Sequence, residues 1–232
     1  MKYAIIDYRA SVKTADALEK YGFNVVSTPH LDHVYTTICG HTDIMVHKLC
    51  DKTIVAEPTV SNYFKEKMPE IEVIPGNTIL KEKYPYDIAY NAARIGNNII
   101  CNNNFTDSKI IEFANKNGLN LLNTKQGYAK CSICVISNEA VITSDKNIQS
   151  VLNKNNVDVL MVDDNKIKLE NFEHGFIGGA TGLLNENTLA VNGNIERHTN
   201  YKEIIEFCNK YGVDVISLNN EEINDIGSII VV

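Results

Sequence analysis

No stretch of this sequence approaches the roughly 18 consecutive apolar residues of a membrane-spanning helix. No run of lysine or arginine occurs either, and the formal net charge is −7. Both features argue against a nucleic-acid-binding surface, so neither a membrane nor a nucleic-acid partner is expected. Six cysteines (Cys39, Cys50, Cys101, Cys131, Cys134 and Cys208) are too sparse for a disulfide scaffold, and a reducing cytoplasm fits them best. The first residues, MKYAIIDYRA, read as a strand rather than a signal peptide. A second C-x-x-C to complete a zinc site with Cys131 and Cys134 is missing, and no metal is expected. GFIGGATG lacks the Gly-Lys-Ser/Thr of a phosphate loop and leads into a strand pattern, so it reads as a tight turn.

What is present is a repeat. With 232 residues, 44% of them hydrophobic, the chain can bury an ordinary core. EKYGFNVVS from Glu19, NKNGLNLLN from Asn115 and NKYGVDVIS from Asn209 nearly copy one another. Each ends a helical pattern at Lys-x-Gly and then enters a short apolar strand. KEKMPEIEVIPG from Lys65 and NKNNVDVLMVD from Asn153 are looser copies. Matching strand positions are Val25, Val73, Leu121, Val159 and Val215, a period of about 40–55 residues that marks a repeat architecture. Ser144 is expected to cap the helix over DKNIQSVLNK, Thr106 or Asp107 the helix over SKIIEFANK, and Asn200 with Glu203 to form a capping box.

A strand or hairpin precedes each helix–strand pair, with SNEA and NENT as hairpin turns. The fifth opening is split, NDIGSIIVV ending the chain and MKYAIIDYR beginning it. The unit is therefore ββαβ, repeated five times, with the termini meeting inside one unit. His41, Asp43 and His47 are expected on one face of a strand. Cys131 and Cys134 are expected on opposite faces of another. Asp43, Asp87, Ser132, Thr181 and Ser228 are read as equivalent positions around a polar central channel.

Five such units, one shared between the termini, resemble the pentein superfamily of guanidino-group-modifying enzymes, the amidinotransferases, deiminases and dimethylarginine hydrolases. The resemblance covers the whole chain as architecture, and its motifs are short. GYAKCS is similar to the family's glycine, basic residue and catalytic cysteine, at Gly127, Lys130 and Cys131. His41-Thr42-Asp43 matches its His-x-Asp pattern, and DIGSI offers Asp225 before a glycine turn. Asp225 precedes His41 only when the ring is read through the termini, a circular shift of the usual order.

The resemblance implies a single five-bladed cyclic α/β-propeller over residues 1–232, with no cofactor. It implies a thiol-dependent hydrolase or transferase acting on a guanidine, amidine or related C–N bond of a small molecule. Cys131 would be the nucleophile, His41 the acid and base, and Asp225 and Asp43 the carboxylates for the substrate cation. Asp87 is a further carboxylate of that kind. Lys130 would supply an electropositive setting for the thiol. Arg94 would orient a substrate carboxylate, and His174 would line the cavity. The other reading is a catalytically inactive pentein that binds a protein or ribonucleoprotein.

Overall fold

The computed structural model describes residues 1–232. It contains five separate three-stranded sheets, each built the same way. The chain starts with β1 (Tyr3–Ile6), α1 (Val12–Lys20) and β2 (Asn24–Ser27). A helical turn, α2 (Thr42–Met45), then leads into β3 (Val46–Cys50), β4 (Thr53–Ala56), α3 (Ser61–Lys67) and β5 (Glu72–Pro75). The third unit is β6 (Ala93–Ile95), β7 (Asn98–Cys101), α4 (Ser108–Lys116) and β8 (Asn120–Asn123). A second helical turn, α5 (Ala129–Ser132), opens the fourth: β9 (Cys134–Val135), β10 (Ala140–Thr143), α6 (Lys146–Asn153) and β11 (Asp158–Met161). The fifth is β12 (Thr181–Asn185), β13 (Thr188–Val191), α7 (Tyr201–Lys210) and β14 (Asp214–Ser217). The last strand, β15 (Ile230–Val231), pairs antiparallel with β1, so the chain's two ends share a sheet.

In every sheet the middle strand runs antiparallel to the first and parallel to the third. A helix must span each parallel pair, which is why helix and third strand recur together in the sequence. Val25, Val73, Leu121, Val159 and Val215 each fall second in a third strand, opposite Ala4, Ile54, Ile99, Val141 and Leu189. The period read from the sequence is thus the structural period. Middle strands are buried almost throughout and third strands are half-exposed edges, so the first kind is mostly apolar and the second mixed.

The helix stops follow the sequence. Gly22, Gly118 and Gly212 have φ of +87°, +63° and +70°, and Asn156 takes the same role at 59°. The caps agree in part. Asp107 caps α4 through its bond from Lys109 N. Asp145, not Ser144, caps α6, because Ser144 Oγ is 2.5 Å from Asp164 Oδ2. Asn200 makes no capping bond to α7, since its side-chain oxygen accepts from Asp163 N instead.

Asp107 also ties two units together. Its Oδ2 accepts from Asn77 N at 2.8 Å and Thr78 N at 2.7 Å while Oδ1 caps α4, and the Asp107 side chain is buried. Replacing Asp107 with alanine loses a cap and leaves two part-buried amides without their acceptor, for an expected loss of about 2 kcal/mol. Urea unfolding monitored by circular dichroism would read it; a loss below about 1 kcal/mol would show that water satisfies those amides.

The first strands of all five sheets contribute residues to one cavity of about 850 Å³. His47, Arg94, Val135, Thr181 and Ile230 come from β3, β6, β9, β12 and β15 in turn. The equivalence read for the five polar residues is only partly right. All five are buried, but the ladders put His47, Cys134 and Ile230 in matching places. Counting back equally from these, Asp43 matches Lys130 rather than Ser132 or Ser228.

Candidate active site

Cys131 and Asp43 do not sit in strands, as the alternating pattern suggested. Each lies in a single helical turn just before a first strand. Contacts from other units hold both turns. Asn91 Oδ1 accepts from Lys130 N at 2.7 Å and Cys131 N at 3.3 Å, capping α5 from outside. Asp43 N donates to Gly227 O at 2.9 Å. The strand face proposed for His41, Asp43 and His47 therefore does not exist. His41 and Asp43 turn to the thiol, and His47 lines the cavity.

The thiol is 3% exposed. Cys131 Sγ lies 3.1 Å from both carboxylate oxygens of Asp43 and accepts from Asn91 Nδ2 at 3.2 Å. Burial pushes the Cys131 pKa well above its ordinary value, and the negative charges of Asp43 and Asp225 push it the same way. The resting group is a protonated thiol donating to Asp43. This is opposite to the electropositive setting expected from Lys130, whose ammonium reaches Ser228 Oγ at 2.9 Å instead. Ser228 Oγ is 2.7 Å from Asp43 Oδ2 and 2.9 Å from Gly178 O, so its one proton serves either acceptor.

His41 is buried, with Nδ1 3.9 Å from Asp225 Oδ1. Asp225 accepts from Phe176 N and Gly227 N, each at 2.9 Å. Its pKa is raised, first by burial, with His41 opposing and Asp43 adding to the rise. A ring nitrogen of His41, an oxygen of Asp43 and Cys131 Sγ lie within 4.8 Å of one another. Three such donors are of the types that hold a divalent ion such as zinc, and they suit acid–base work equally.

Asp87 lies at the edge of this cluster, across a pair of tyrosines. Its Oδ2 accepts from Tyr128 OH at 2.5 Å, and the Tyr128 and Tyr35 hydroxyls are 3.0 Å apart. Its Oδ1 is buried with no partner in the protein, and burial raises its pKa. A buried carboxylate oxygen without a donor is costly unless something else supplies one.

Cys131, His41, Asp225, Asp43 and Lys130 are thus joined in one network, directly or through one side chain. Asp87 stands at its edge across Tyr128 and Tyr35, and the Tyr35 hydroxyl feels the charges of Asp87, Cys131 and Asp225. Two predicted residues are outside it. Arg94 lines the 850 Å³ cavity, its guanidinium bonded to the carbonyls of Leu49 and Gly96. His174 is exposed and bonds Gly175 O. Sequence reasoning missed Asn91, Tyr128 and Tyr35. A lone asparagine within the apolar run from Ile88 to Ala93 was the available signal for Asn91; nothing local marked the tyrosines.

Gly227 seats His41. Its φ is +66°, and a Cβ there would fall 2.3 Å from His41 Cβ. Gly227→Ala is expected to cost about 1–3 kcal/mol and to displace the imidazole. Activity should fall further than the stability loss explains. A variant that melts lower but turns over normally would mean His41 tolerates the shift.

The profile of the family of unknown function DUF6873 matches residues 5–230. The chain belongs to that family. No curated protein sequence matches it. In structure the DUF6873 chain is similar to DDAH from Pseudomonas aeruginosa, solved as a cysteine-to-serine mutant complexed with citrulline (TM-score 0.55, 8% identity, 98% of this chain and 95% of that one). It is also similar to a dimethylarginine dimethylaminohydrolase solved as an adduct with 4-chloro-2-hydroxymethylpyridine (TM-score 0.53, 10% identity, 96% and 92%). A third likeness is to SxtG, an amidinotransferase from Microseira wollei in the saxitoxin biosynthetic pathway (TM-score 0.50, 11% identity, 93% and 87%). At such identities the DUF6873 chain shares a fold with these proteins, that of the pentein superfamily. No helix is long and apolar enough to cross a membrane.

Proposed function

We propose that this protein is a thiol-dependent hydrolase or transferase acting on a guanidine, amidine or related C–N bond of a small cationic molecule. The observation that carries the reading is a buried thiol set against two buried carboxylates, Asp43 and Asp225, with a third buried carboxylate, Asp87, that has an unpartnered oxygen at the edge of the cluster. Such a site is short of positive charge and of N–H donors, and a guanidinium or amidinium supplies both. The neighbours solved with citrulline and as an adduct are in keeping with it.

In this reading the cation docks between Asp43 and Asp87, offsetting the charge that keeps Cys131 protonated. The thiol proton passes to His41, and Asp225 stabilises the resulting imidazolium. Sγ bonds to the central carbon, the C–N bond breaks, and the departing amine takes the proton from His41. Water or an acceptor amine, deprotonated by His41, then adds to the carbon and the C–S bond breaks. The five sheets would be blades of one closed propeller over residues 1–232, in a cytoplasmic setting that keeps the thiol reduced.

Incubation with arginine-, agmatine- and alkylamidine-type compounds, followed by mass spectrometry, should reveal amine release and an adduct on Cys131. A catalytically inactive binding module is the second reading, favoured by the deep burial and protonation of the thiol. Absence of both adduct and turnover across that panel would favour it.

A further inference from the structure

The 850 Å³ cavity lined by the five first strands holds nitrogen groups that the thiol chemistry does not use. His47 is 3% exposed and donates from Nδ1 to Ala92 O at 2.9 Å, while its buried Nε2 has no partner. Arg94 lines the same cavity, and its bonds to Leu49 O and Gly96 O leave Nη2 without a protein partner. Lys130 lines it too, with one contact, to Ser228, for its three N–H donors. His47 feels both of the other charges. Burial pushes the His47 pKa down to about 4, and the charges of Arg94 and Lys130 add to the fall. Asp51 and Glu186 are the acidic side chains of the lining; both are exposed, and Asp51 pairs with Lys48.

We propose that this cavity binds a small oxyanion that carries its own proton, of the hydrogen-phosphate or phosphomonoester class, between Arg94, Lys130 and His47. Two cations call for an anion, with Arg94 the natural partner for paired oxygens. The third group decides which anion. The bond to the Ala92 carbonyl fixes the proton of neutral His47 on Nδ1, leaving Nε2 as a lone-pair acceptor. Sulfate or a carboxylate would set lone pairs against that nitrogen. A P–OH group donates to it while the other oxygens accept from Arg94 and Lys130. Arg94 and His47 stand apart from the thiol, and Lys130 meets its network only through Ser228, so the site does not require that Cys131 be a nucleophile.

The test is a titration of the wild-type protein with inorganic phosphate at constant ionic strength and neutral pH, followed by nitrogen-15 spectra of the imidazole groups. A saturable shift at His47 Nε2 is expected, with a dissociation constant of about 1 mM or tighter. Sulfate and acetate should bind at least about tenfold more weakly. Arg94→Gln should weaken phosphate by about tenfold or more, and Lys48→Gln, outside the triad, should change it little. No saturable shift up to about 100 mM phosphate overturns the site, and equal affinity for sulfate overturns the proton-bearing class. Should Arg94→Gln fail to fold, the phosphate-against-sulfate comparison in the wild-type protein still decides.

Discussion

The Cys131 thiol in the free protein is expected to ionise above the ordinary range of about 8.5, and a guanidinium ligand is expected to bring it down by about 1–3 pH units. Both signs follow from charge. Burial favours the neutral thiol, and Asp43 and Asp225 repel the thiolate. A bound cation placed against those carboxylates reverses the repulsion. The measurement is the ultraviolet absorbance of the thiolate against pH, taken as the difference between the wild type and Cys131→Ser, with and without guanidinium. Turnover by Cys131→Ser should be undetectable under the same conditions. A resting thiol that ionises at or below the ordinary value would mean that the Asp43 contact does not persist in solution. A profile indifferent to guanidinium would mean that the three carboxylates do not form a cation site.

Asp43→Asn should move two observables in opposite directions. Turnover should fall by a factor on the order of 10²–10³, because a charged partner for the substrate cation is lost. The thiol should become easier to ionise, by about one pH unit or more, because the nearest negative charge is gone. A variant with a more reactive cysteine and a poorer enzyme is hard to explain by misfolding, which would release the thiol and abolish the temperature transition together. Ser228→Ala, which removes a donor to Asp43 and the contact of Lys130 but leaves the carboxylate charge in place, should not make the thiol easier to ionise. If Asp43→Asn keeps turnover within about twofold, Asp43 is a structural acceptor and the substrate cation lies elsewhere.

Motif and repeat reasoning reached the site from different distances. Cys131, His41 and Asp43 were legible because short motifs carried them, and Asp225 because it precedes a glycine turn. Their shared location was readable only with the fold in hand. Arg94 shows the limit. The only cation in YDIAYNAARIGNN reads as a substrate clamp, but strand β6 carries it to the cavity, where the carbonyls of Leu49 and Gly96 hold it. His174 was placed near the site by its neighbouring glycines, but its ring turns to Gly175 O and solvent.

The sequence by itself determined the repeat, its ββαβ order, the split unit at the termini and the helix stops. All of these depend on local chemistry: apolar period, glycine or asparagine at a left-handed position, and turn residues between strands. The tertiary structure alone decided that Cys131 and Asp43 leave the strand pattern for a helical turn. The groups that fix those turns, Asn91 and Gly227, come from other units of the chain. It also decided the state of the thiol. Lysine stands beside Cys131 in the sequence, but a side chain's pKa answers to what surrounds it in space, and there the nearest charges are carboxylates.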